Sequence, residues 1–556
     1  MSENIRLIIW DLDETLWCGT LTEGGIKEHI SKNYEIIKEL ARRGIISSIC
    51  SKNDFNQVKH ILEDQDIWSY FVFPSIDWSP KGQRVAAIID AMQLRPASVL
   101  FIDDNPMNRA EVAAAVDGVQ VADENIIPNI LLNPLFKGKN DDNLNRLNQY
   151  KLLEKRKADQ LRSISSGISD TEFLRSSNIR VFINHHVENN LDRVIELINR
   201  TNQLNFTKKR LPEDVEQALN ILKSEVNSYR STFGLVRVVD NYGDHGYCGF
   251  YQLDNLSKKL IHFSFSCRIL GMGVEAFIYQ FLGCPQLKIV GEVLTNPINY
   301  PPVDWITISD NSNLEIENTN KIEIPVYLRG GCDLSAIGYY ARFNFKNIIG
   351  EYNIYRNGVD VRVDHAIVAG YCLNGISDRE LNSFKMLGYE EEDFKSKTLN
   401  APPDSICILS FSPSGWLDIY INNITGALVP YHTKTSINKE QLLMLKQNYS
   451  FIGNKCDLNE FRRIIQMAFD RLSRCRYVFC ILHSKVNGVF GSKYDNIILD
   501  CAKSRDNVHT LALSDFIINK DENDGSHIGR IVYFRAYQYI LNFISKNNNF
   551  CNANLS

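Results

Sequence analysis

The first 125 residues alternate short apolar runs with segments of helical periodicity, and this alternation restricts the fold more than any other feature. The runs RLIIW, GIISSIC, YFVF and SVLFI are each about as long as a buried strand. The segments between them are long enough for one amphipathic helix. Strands and helices that alternate in this way form a parallel sheet with helices on its faces. The sequence therefore predicts an open parallel α/β domain over residues 5–125.

The remaining chain is long enough for further domains, because an average domain has roughly 150 residues and this chain has 556. Residues 137–165 are polar and charge-dense, with apolar side chains at helical spacing, which predicts a loop and a connecting helix. Beyond them lie helix patterns at 189–200, 212–226 and 272–282, three strand-like runs, and a further strand pattern at 287–294.

A second polar boundary, NPINYPPVDW followed by ISDNSNLEIENTNK, precedes another series of apolar runs interleaved with helix patterns. We therefore expect an α/β multidomain chain in four parts. These are a parallel-sheet domain at 1–135, a linker helix at 136–165, an α+β domain at 166–318 and a second open α/β domain at 322–556.

Charge and cysteine content limit the partners and the compartment. The net charge is -5, so no overall positive field attracts nucleic acid or an anionic membrane. Thirteen cysteines occur without a CxxC pair, which favours a reducing cytoplasm over a disulfide framework. The apolar start is broken by two aspartates, and no apolar stretch reaches 18 residues. We expect a cytoplasmic protein that neither carries an export signal nor inserts into a membrane.

Polar residues stand where the first four strands end or where a helix begins. Because parallel strands deliver their carboxyl ends to one edge of the sheet, these side chains should converge there. Carboxylates that close repel one another, and a divalent cation is the natural compensation. An anionic nucleophile, a second carboxylate, a cation and hydrogen-bond donors are the parts that phosphoryl transfer needs. The residues are Asp11 and Asp13 in IIWDLDET, Ser51, Lys81, and Asp103 and Asp104.

These four motifs resemble those of the haloacid dehalogenase (HAD) superfamily of phosphatases in residue type, order and spacing. The resemblance implies that Asp11 is the nucleophile and becomes an aspartyl phosphate. Asp13 would be the general acid and then the base, while Ser51 and Lys81 hold the phosphoryl oxygens. Mg²⁺ would be bound by Asp11, the Asp13 backbone carbonyl, and Asp103 or Asp104.

The spacing of the motifs also restricts the substrate. Between Asp13 and Ser51 there are 37 residues, and between Ser51 and Lys81 there are 29. Each interval holds little more than the strand and helix that the sheet requires, so no cap domain fits. Without a lid, the phosphate should arrive on a larger molecule or be enclosed by a neighbouring domain.

The middle domain contains R-x-x-G-x-G (Arg268, Gly271, Gly273) before a helix, where glycines let backbone amides approach an anion. Alone, this pattern also fits a tight turn. Together with RTNQLNFTKKR and VDNYGDHGYCGFY, it resembles the FkbH-like family, a cap-less phosphatase fused to an acyl-CoA N-acyltransferase-like (GNAT-like) domain. The resemblance implies a pyrophosphate loop that binds CoA or the phosphopantetheine of an acyl carrier protein. It also implies transfer of a 3-phosphoglyceryl group from 1,3-bisphosphoglycerate to that carrier, followed by dephosphorylation.

Two residues are candidates for the transfer step. Cys267 lies in the matching segment and could accept the acyl group as a thiolate, although a cysteine in an apolar strand is more often inert packing. His245 could be the base that deprotonates Cys267 or the pantetheine thiol, or it could be an ordinary turn histidine.

The C-terminal domain offers a third candidate site. Cys332 follows a strand and opens a helix, and Asp524 and His527 form D-x-x-H before the last helix pattern. This arrangement resembles flavodoxin-like folds of the SGNH esterase class, with Cys332, or less favourably Ser335, as nucleophile, His527 as base and Asp524 as its partner. The glycine and G-x-N-D blocks are missing; SFSPSGW (410–416) and HSKVNG (483–488) are the only substitutes. A degenerate binding module is the alternative.

Three functions are therefore open. The first is a bifunctional enzyme that loads and dephosphorylates a glyceryl unit on an acyl carrier protein, with onward acyl transfer by the C-terminal domain. The second is a phosphatase whose other domains only bind the carrier. The third is an acyl-CoA- or carrier-dependent transferase of sugar or amine building blocks with an accessory phosphatase.

Overall fold

The computed structural model describes residues 3–228, 231–255, 257–309, 321–434, 438–483, 492–518 and 528–547. The chain divides into two compact units. The first unit comprises Met1–Ile179 with the short segments Val238–Gly246 and Cys267–Met272, and the second comprises Arg180–Arg237, Tyr247–Ser266 and Gly273–Ser556. No helix of the described ranges is both long enough and apolar enough to cross a membrane.

A parallel five-stranded sheet forms the centre of the first unit, in the order β3-β2-β1-β4-β5. Along the central strand, Ile8 and Trp10 pack into one apolar cluster and Leu7 and Ile9 into the other, because successive side chains point to opposite faces. This confirms the parallel α/β prediction. The elements are β1 (Leu7–Trp10), α1 (Ser31–Arg42), β2 (Ile46–Ser51), α2 (Phe55–Asp64), β3 (Ser75–Ile76), α3 (Lys81–Met92), β4 (Val99–Ile102), α4 (Pro106–Ala115), β5 (Gln120–Ala122), α5 (Asn145–Ser165) and α6 (Asp170–Ser176).

Residues 14–50 and 52–80 are all described, and neither stretch contains a cap domain, as the spacing predicts. The first holds α1 and a short flap in which Cys18 pairs with Glu28 in an antiparallel bridge. The second holds α2, a 3-10 turn and β3. These two intervals therefore add no lid domain over the carboxyl edge of the sheet.

The helix predicted within residues 137–165 is present as α5, and it packs on the two short segments of the first unit. Leu152 approaches Gly243 so closely that a Cβ added there would lie 3.2 Å from its methyl groups. The ring of Phe173 in α6 lies 6.4 Å from that of Tyr242. The segments that carry His245 and Arg268 are thus held against α5 and α6.

The second unit begins with a five-stranded sheet in the order β10-β6-β7-β8-β9, in which β8 and β9 are antiparallel. The helices predicted at 189–200, 212–226 and 272–282 are present, so this part mixes helices and strands as expected. The elements are β6 (Ile179–Asn184), α7 (Leu191–Arg200), α8 (Val215–Asn227), β7 (Ser231–Asp240), β8 (Gly243–Asp254), β9 (Lys259–Phe265), α9 (Val274–Phe281) and β10 (Ile306–Ser309).

The strand predicted at 287–294 is wrong. Val290 and Leu294 donate single backbone hydrogen bonds to Phe206 and Gln203, but Gly291 between them has φ +65°. A left-handed residue interrupts the extended backbone, so the segment cannot continue as a strand.

The C-terminal part of the second unit contains a parallel sheet in the order β12-β11-β15-β19-β20, which confirms the predicted open α/β arrangement. Two small antiparallel sheets, β13-β14 and β17-β16-β18, accompany it. The elements are β11 (Val326–Gly330), α10 (Cys332–Asn344), β12 (Ile348–Tyr352), β13 (Ile354–Arg356), β14 (Val359–Val361), α11 (Ala366–Asn374), α12 (Asp378–Lys385), β15 (Ile406–Ser410), β16 (Ile419–Asn422), β17 (Leu428–Pro430), α13 (Lys439–Asn448), β18 (Tyr449–Gly453), α14 (Leu458–Arg471), β19 (Tyr477–Leu482), α15 (Ser492–Ala502), β20 (Val508–Ala512) and α16 (Arg530–Asn547).

The middle and C-terminal sheets of the second unit share buried contacts. Arg530, fully buried at the start of α16, donates to the backbone oxygen of His185 at 2.9 Å and to Glu188 at 2.6 Å. The hydroxyls of Tyr251 and Tyr339 are hydrogen-bonded. The predicted domain limits stay predictions, but the parts on either side of residues 310–320 are packed against each other.

Candidate active site

The carboxyl edge of the first sheet collects the predicted phosphatase residues. Asp11 directly follows β1, Ser51 ends β2, and Asp103 directly follows β4. The amide of Asp11 donates to the Ile102 carbonyl at 2.9 Å, which extends the β1–β4 pairing by one step and brings the two acidic loops together. Asp11 and Asp103, about ninety residues apart in sequence, therefore lie next to each other because their strands are paired.

Lys81 joins the two central carboxylates. Its ammonium nitrogen lies 2.7 Å from Asp11 Oδ1 and 2.6 Å from Asp103 Oδ2, and all three side chains are buried. Lys81 is the first residue of α3, and the next residue, Gly82, donates its amide to Glu111 of α4 at 2.7 Å. The packing of α3 on α4 thus fixes the position of the ammonium group.

Asp13 is held on the other side of the nucleophile by three donors. Trp17 Nε1 and the Leu21 amide donate to Asp13 Oδ1 at 2.9 and 3.0 Å, and Asn53 Nδ2 donates to Oδ2 at 3.0 Å. Asn53 also donates to Ser51 Oγ at 3.0 Å. The acid-base candidate and the hydroxyl candidate are therefore bridged by one amide.

Asp103 and Asp104 have different environments. Both oxygens of Asp103 accept hydrogen bonds: Oδ1 from the Asn105 amide at 2.9 Å, and both from Asn108 Nδ2 at 3.1 Å. Asp104 is exposed, while its backbone amide donates to Thr15 Oγ1 at 3.0 Å. Asp103 is thus fixed by protein donors, whereas the carboxylate of Asp104 faces solvent.

Burial and charge shift the ionisation of this cluster. Burial raises the pKa of Asp11 to about 6, although the Lys81 ammonium opposes the effect. Burial and the neighbouring Asp103 also raise the pKa of Asp104. For Lys81, burial lowers the pKa, but Asp11 and Asp103 outweigh it, so its pKa is raised and it stays charged.

The residues present fit a Mg²⁺ ion. Asp11, Asp103 and Asp104 each offer an oxygen, and these atoms lie within 4.8 Å of one another. Asp11 Oδ1 is buried and has no hydrogen bond of good geometry, although Lys81 lies beside it. Several carboxylates close together, one of them solvent-facing, form the hard-oxygen donor set that Mg²⁺ prefers.

Five residues of the site were not recognised in the sequence. Asn53 and Asn108 donate to the carboxylates, Trp17 orients Asp13, Thr15 receives the Asp104 amide, and Arg84 donates to the Ser51 carbonyl at 2.9 Å. Asn53 stands two residues after Ser51 and Asn108 four residues after Asp104. Proximity to a motif residue was therefore the available signal for both asparagines.

The predicted transfer residues lie in two units. In the first, His245 Nε2 lies 3.1 Å from Asp240 Oδ2, and Arg268 donates to the His245 carbonyl at 3.3 Å. Burial raises the pKa of Cys267 to about 11, so its thiol is protonated near neutral pH. Gly271, also in the first unit, and Gly273, in the second, have φ of +72° and +77°, conformations that favour glycine.

For the C-terminal site, the structure places Cys332 at the first position of α10, directly after β11, as predicted, but describes only its backbone. Ser335 lies in the same helix and is buried. Asp524 and His527 lie outside the described residues. The last helix begins at Arg530.

No protein-family model and no curated protein matches the sequence. Among solved structures, the chain is similar to the N-terminal part of BF1531 from Bacteroides fragilis, which contains a phosphatase domain complexed with Mg. The identity is 27% and the TM-score 0.21, covering 25% of this chain and 41% of that chain. The chain thus spans less than half of that protein.

Two further similar structures are 3-deoxy-D-manno-octulosonate 8-phosphate phosphatases. The one from Moraxella catarrhalis, in complex with magnesium ion, phosphate ion and KDO, is 13% identical, with a TM-score of 0.18 and coverage of 29% of this chain and 95% of that chain. The cobalt-bound YrbI from Haemophilus influenzae is 21% identical, with a TM-score of 0.18 and coverage of 21% and 66%.

Proposed function

We propose that the first unit is a Mg²⁺-dependent phosphatase of the HAD type that acts through an aspartyl phosphate on Asp11. The observation that carries this proposal is the Lys81 ammonium between Asp11 and Asp103, with Asp13 held beside them. A buried carboxylate next to a fixed cation is a nucleophile that needs no deprotonation partner. The same cation is placed where negative charge would move during phosphoryl transfer.

The reaction follows from these positions. Asp11 attacks phosphorus while Asp13 gives a proton to the leaving oxygen, so the P–O bond to the substrate breaks and a P–O bond to Asp11 forms. Asp13 then takes a proton from water, which attacks phosphorus and releases Asp11 and phosphate. Lys81 and Ser51 hold the phosphoryl oxygens throughout. Mg²⁺, held by Asp11, the Asp13 carbonyl and Asp103 or Asp104, would neutralise charge on the phosphate.

Substitution at the two catalytic aspartates tests this function. Asp11→Asn should abolish phosphate release from a phosphate monoester, and Asp13→Asn should slow it by about 10²-fold to 10⁴-fold because acid-base help is lost. Asp117→Asn, which changes an exposed carboxylate of the same unit, should leave the rate unchanged. Wild-type phosphate release by the Asp11→Asn protein would refute the assignment.

We further propose that the substrate phosphate is carried by a large molecule, and that the whole chain loads a 3-phosphoglyceryl group from 1,3-bisphosphoglycerate onto an acyl carrier protein and then dephosphorylates it. Residues 14–50 and 52–80 add no lid domain at the mouth of the site, which suits a phosphate on a long arm. The Asp240–His245 pair, with Arg268 beside it, supports a base at the predicted transfer site, where CoA or phosphopantetheine would bind.

The raised pKa of Cys267 favours direct transfer to the pantetheine thiol over an acyl-cysteine. Mass spectrometry of a phosphopantetheinylated carrier incubated with the protein, Mg²⁺ and 1,3-bisphosphoglycerate tests loading. The Asp11→Asn protein should then accumulate the phosphoglyceryl thioester. If Cys267→Ala loads the carrier at the wild-type rate, Cys267 is packing; if His245→Ala also does, the transfer proposal fails.

If loading is absent while phosphate release persists, the alternatives become preferable. One is a phosphatase with carrier-binding domains, which would retain the carrier in a binding measurement. The other is a transferase of sugar or amine building blocks, which would consume acyl-CoA.

A further inference from the structure

The C-terminal sheet has a crevice that its strand order defines. In the order β12-β11-β15-β19-β20, the chain first adds a strand on one side of β11 and then continues on the other, so the switch point lies between β11 and β15. Open α/β sheets bind ligands outside the carboxyl ends of the strands at such a point. Ser410 is the last residue of β15 and therefore stands at this edge.

Ser410 is paired with a histidine from the neighbouring strand. Its Oγ lies 3.1 Å from Nε2 of His483, which follows the last residue of β19. In the β15–β19 pairing, Ser410 lies opposite Ile481, two residues before His483. Because the two strands end near each other, the side chains of Ser410 and His483 can meet. Ser410 is fully buried and His483 partly exposed. A hydroxyl shielded from water and hydrogen-bonded to imidazole has the arrangement of an activated nucleophile.

A small cavity adjoins His483, the base of this pair, and Phe411, the residue after Ser410. His483 lines it together with Ser412 and Asp495, and the other lining residues are mostly aromatic and aliphatic. An apolar cavity with a few convergent polar groups is the usual form of a small-molecule site. Because it is narrow and mostly apolar, it suits a short uncharged acyl group better than a phosphate or a sugar. The apolar lining residues are Phe411, Phe461, Ile481, Tyr494 and Ile498.

We propose that Ser410 and His483 form a second catalytic site, a nucleophile and its base, that transfers short uncharged acyl groups from esters or thioesters. As Ser410 Oγ attacks the carbonyl carbon, its proton passes to His483 Nε2. The bond from the acyl carbon to the leaving oxygen or sulfur then breaks, and His483 returns the proton to that atom. An incoming alcohol, amine or water then gives its proton to His483 and bonds to the acyl carbon. The bond between that carbon and Ser410 Oγ breaks, and His483 returns the proton to Ser410 Oγ.

This site is independent of the phosphatase and of Cys332. It uses neither the aspartates of the first unit nor the segment that contains Asp524 and His527. It assigns chemistry to Ser410 and His483, the first residues of SFSPSGW and HSKVNG, through their hydrogen bond.

The test uses the full-length protein and a fluorophosphonate probe, which phosphonylates an activated serine, with p-nitrophenyl acetate as a short ester. Peptide mass spectrometry should locate the probe on Ser410. Ser410→Ala should lose both labelling and esterase activity, and Ser473→Ala, which changes an exposed serine of the same unit outside the cavity, should keep both. His483→Gln can still hydrogen-bond to Ser410 but cannot act as a base, so it should slow labelling by at least about 10²-fold.

Thermal unfolding and phosphate release check that the variants are folded. If Ser410→Ala fails to fold, two measurements still test the proposal. They are the position of the probe on the wild-type protein and the labelling rate of His483→Gln. Absence of label on Ser410 of the folded wild-type protein overturns the proposal. So does labelling of His483→Gln at the wild-type rate, because a Ser–His pair with only a structural role would tolerate that change.

Discussion

Lys81 allows the buried carboxylates of Asp11 and Asp103 to lie close together. Without its ammonium group, Asp11 and Asp103 would repel each other in a region that excludes water, and one of them would take up a proton. With it, the cluster of Asp11, Asp103 and Lys81 has a single net negative charge, to which Asp104 at the surface adds a second. This distribution makes the outer carboxylate the natural point of entry for a divalent cation.

At the residue scale, Asp104 and Asp103 should therefore respond differently to substitution. Asp104→Asn should raise the Mg²⁺ concentration for half-maximal phosphate release by at least about 10-fold, because a solvent-facing ligand is lost. Asp103→Asn removes a partner of Lys81, so excess Mg²⁺ should not restore its rate. Titration of activity with Mg²⁺ separates the two, and an unchanged Mg²⁺ requirement in Asp104→Asn would exclude it as a ligand.

The sequence was sufficient to predict the site residues at strand ends and at the start of α3, but not the surrounding residues that hold them in position. Asp11, Ser51 and Asp103 could be predicted because the ends of buried strands are recognisable and parallel strands share an edge. Asn53 and Trp17 could not, because an asparagine or tryptophan in a loop has no pattern that distinguishes a hydrogen bond to Asp13 from exposure to solvent. Their roles depend on the loop path, which local sequence does not determine.

At the scale of elements, the contact between α3 and α4 positions the catalytic lysine. Gly82 allows this contact, because a Cβ added there would lie 2.8 Å from Ala115 Cβ and 3.2 Å from the Glu111 carbonyl. Both neighbours are on a helix and cannot give way as a flexible side chain could. The separation of the two helices, and hence the position of Lys81, depends on the absence of a side chain.

Gly82→Ala should therefore reduce activity and stability together. Overpacking of this kind costs about 1–3 kcal/mol of unfolding free energy, and the displaced ammonium should lower the rate of phosphate release by at least about 10-fold. Gly453→Ala is the control, because a Cβ there meets nothing within 4 Å and its φ is not positive. Denaturant unfolding and steady-state rates measure both effects. A Gly82→Ala protein with wild-type stability and rate would show that α3 can shift without moving Lys81.

The strand pattern at 287–294 shows where sequence periodicity fails at this scale. Val290 and Leu294 donate single backbone hydrogen bonds to residues 206 and 203, but both side chains are exposed and the left-handed Gly291 between them interrupts the extended backbone. By contrast, β1, β4, β15 and β19 were predictable, because each is buried on two faces and is therefore almost continuously apolar. The predicted strand YFVF (70–73) is wrong: Phe71 forms only an isolated bridge, and the short strand β3 follows at Ser75–Ile76. A segment outside the sheets, such as 287–294, is not buried on two faces, so its apolar residues do not by themselves indicate a strand.

At the scale of the whole molecule, Arg530 ties the end of the described chain to the middle sheet. Besides His185 and Glu188, it donates to the Tyr340 hydroxyl at 3.2 Å. Arg530→Met should lower the unfolding free energy of the second unit by roughly 3 kcal/mol or more, because buried partners lose their donor. Arg463→Gln, which breaks an exposed pair with Glu460, should cost less than about 0.5 kcal/mol. Equal losses in the two variants would contradict this role.

Three buried histidines make the stability of the second unit depend on pH. Burial lowers the pKa of His185, His262 and His365 to about 3 in the folded chain, whereas an unfolded histidine has a pKa of about 6.5. Between these values the unfolded chain binds the extra proton, so the unfolding free energy falls as pH falls. The stabilisation is complete above pH 6.5 and decreases below it.

Lowering the pH from 7.5 to 5.5 should therefore cost about 1.4 kcal/mol for each histidine, or about 4 kcal/mol for the three together. His365→Asn should remove one third of this dependence, because Asn is neutral at both pH values and can still accept the Ile367 amide at the start of α11, as His365 does now. His60→Asn, at an exposed position, should leave the dependence unchanged. Amide hydrogen exchange, followed on peptides of the second unit, measures the unfolding free energy at each pH. The rates are corrected for the pH dependence of the intrinsic exchange rate. Equal pH dependence in His365→Asn and the wild-type protein would show that His365 is protonated inside the folded chain.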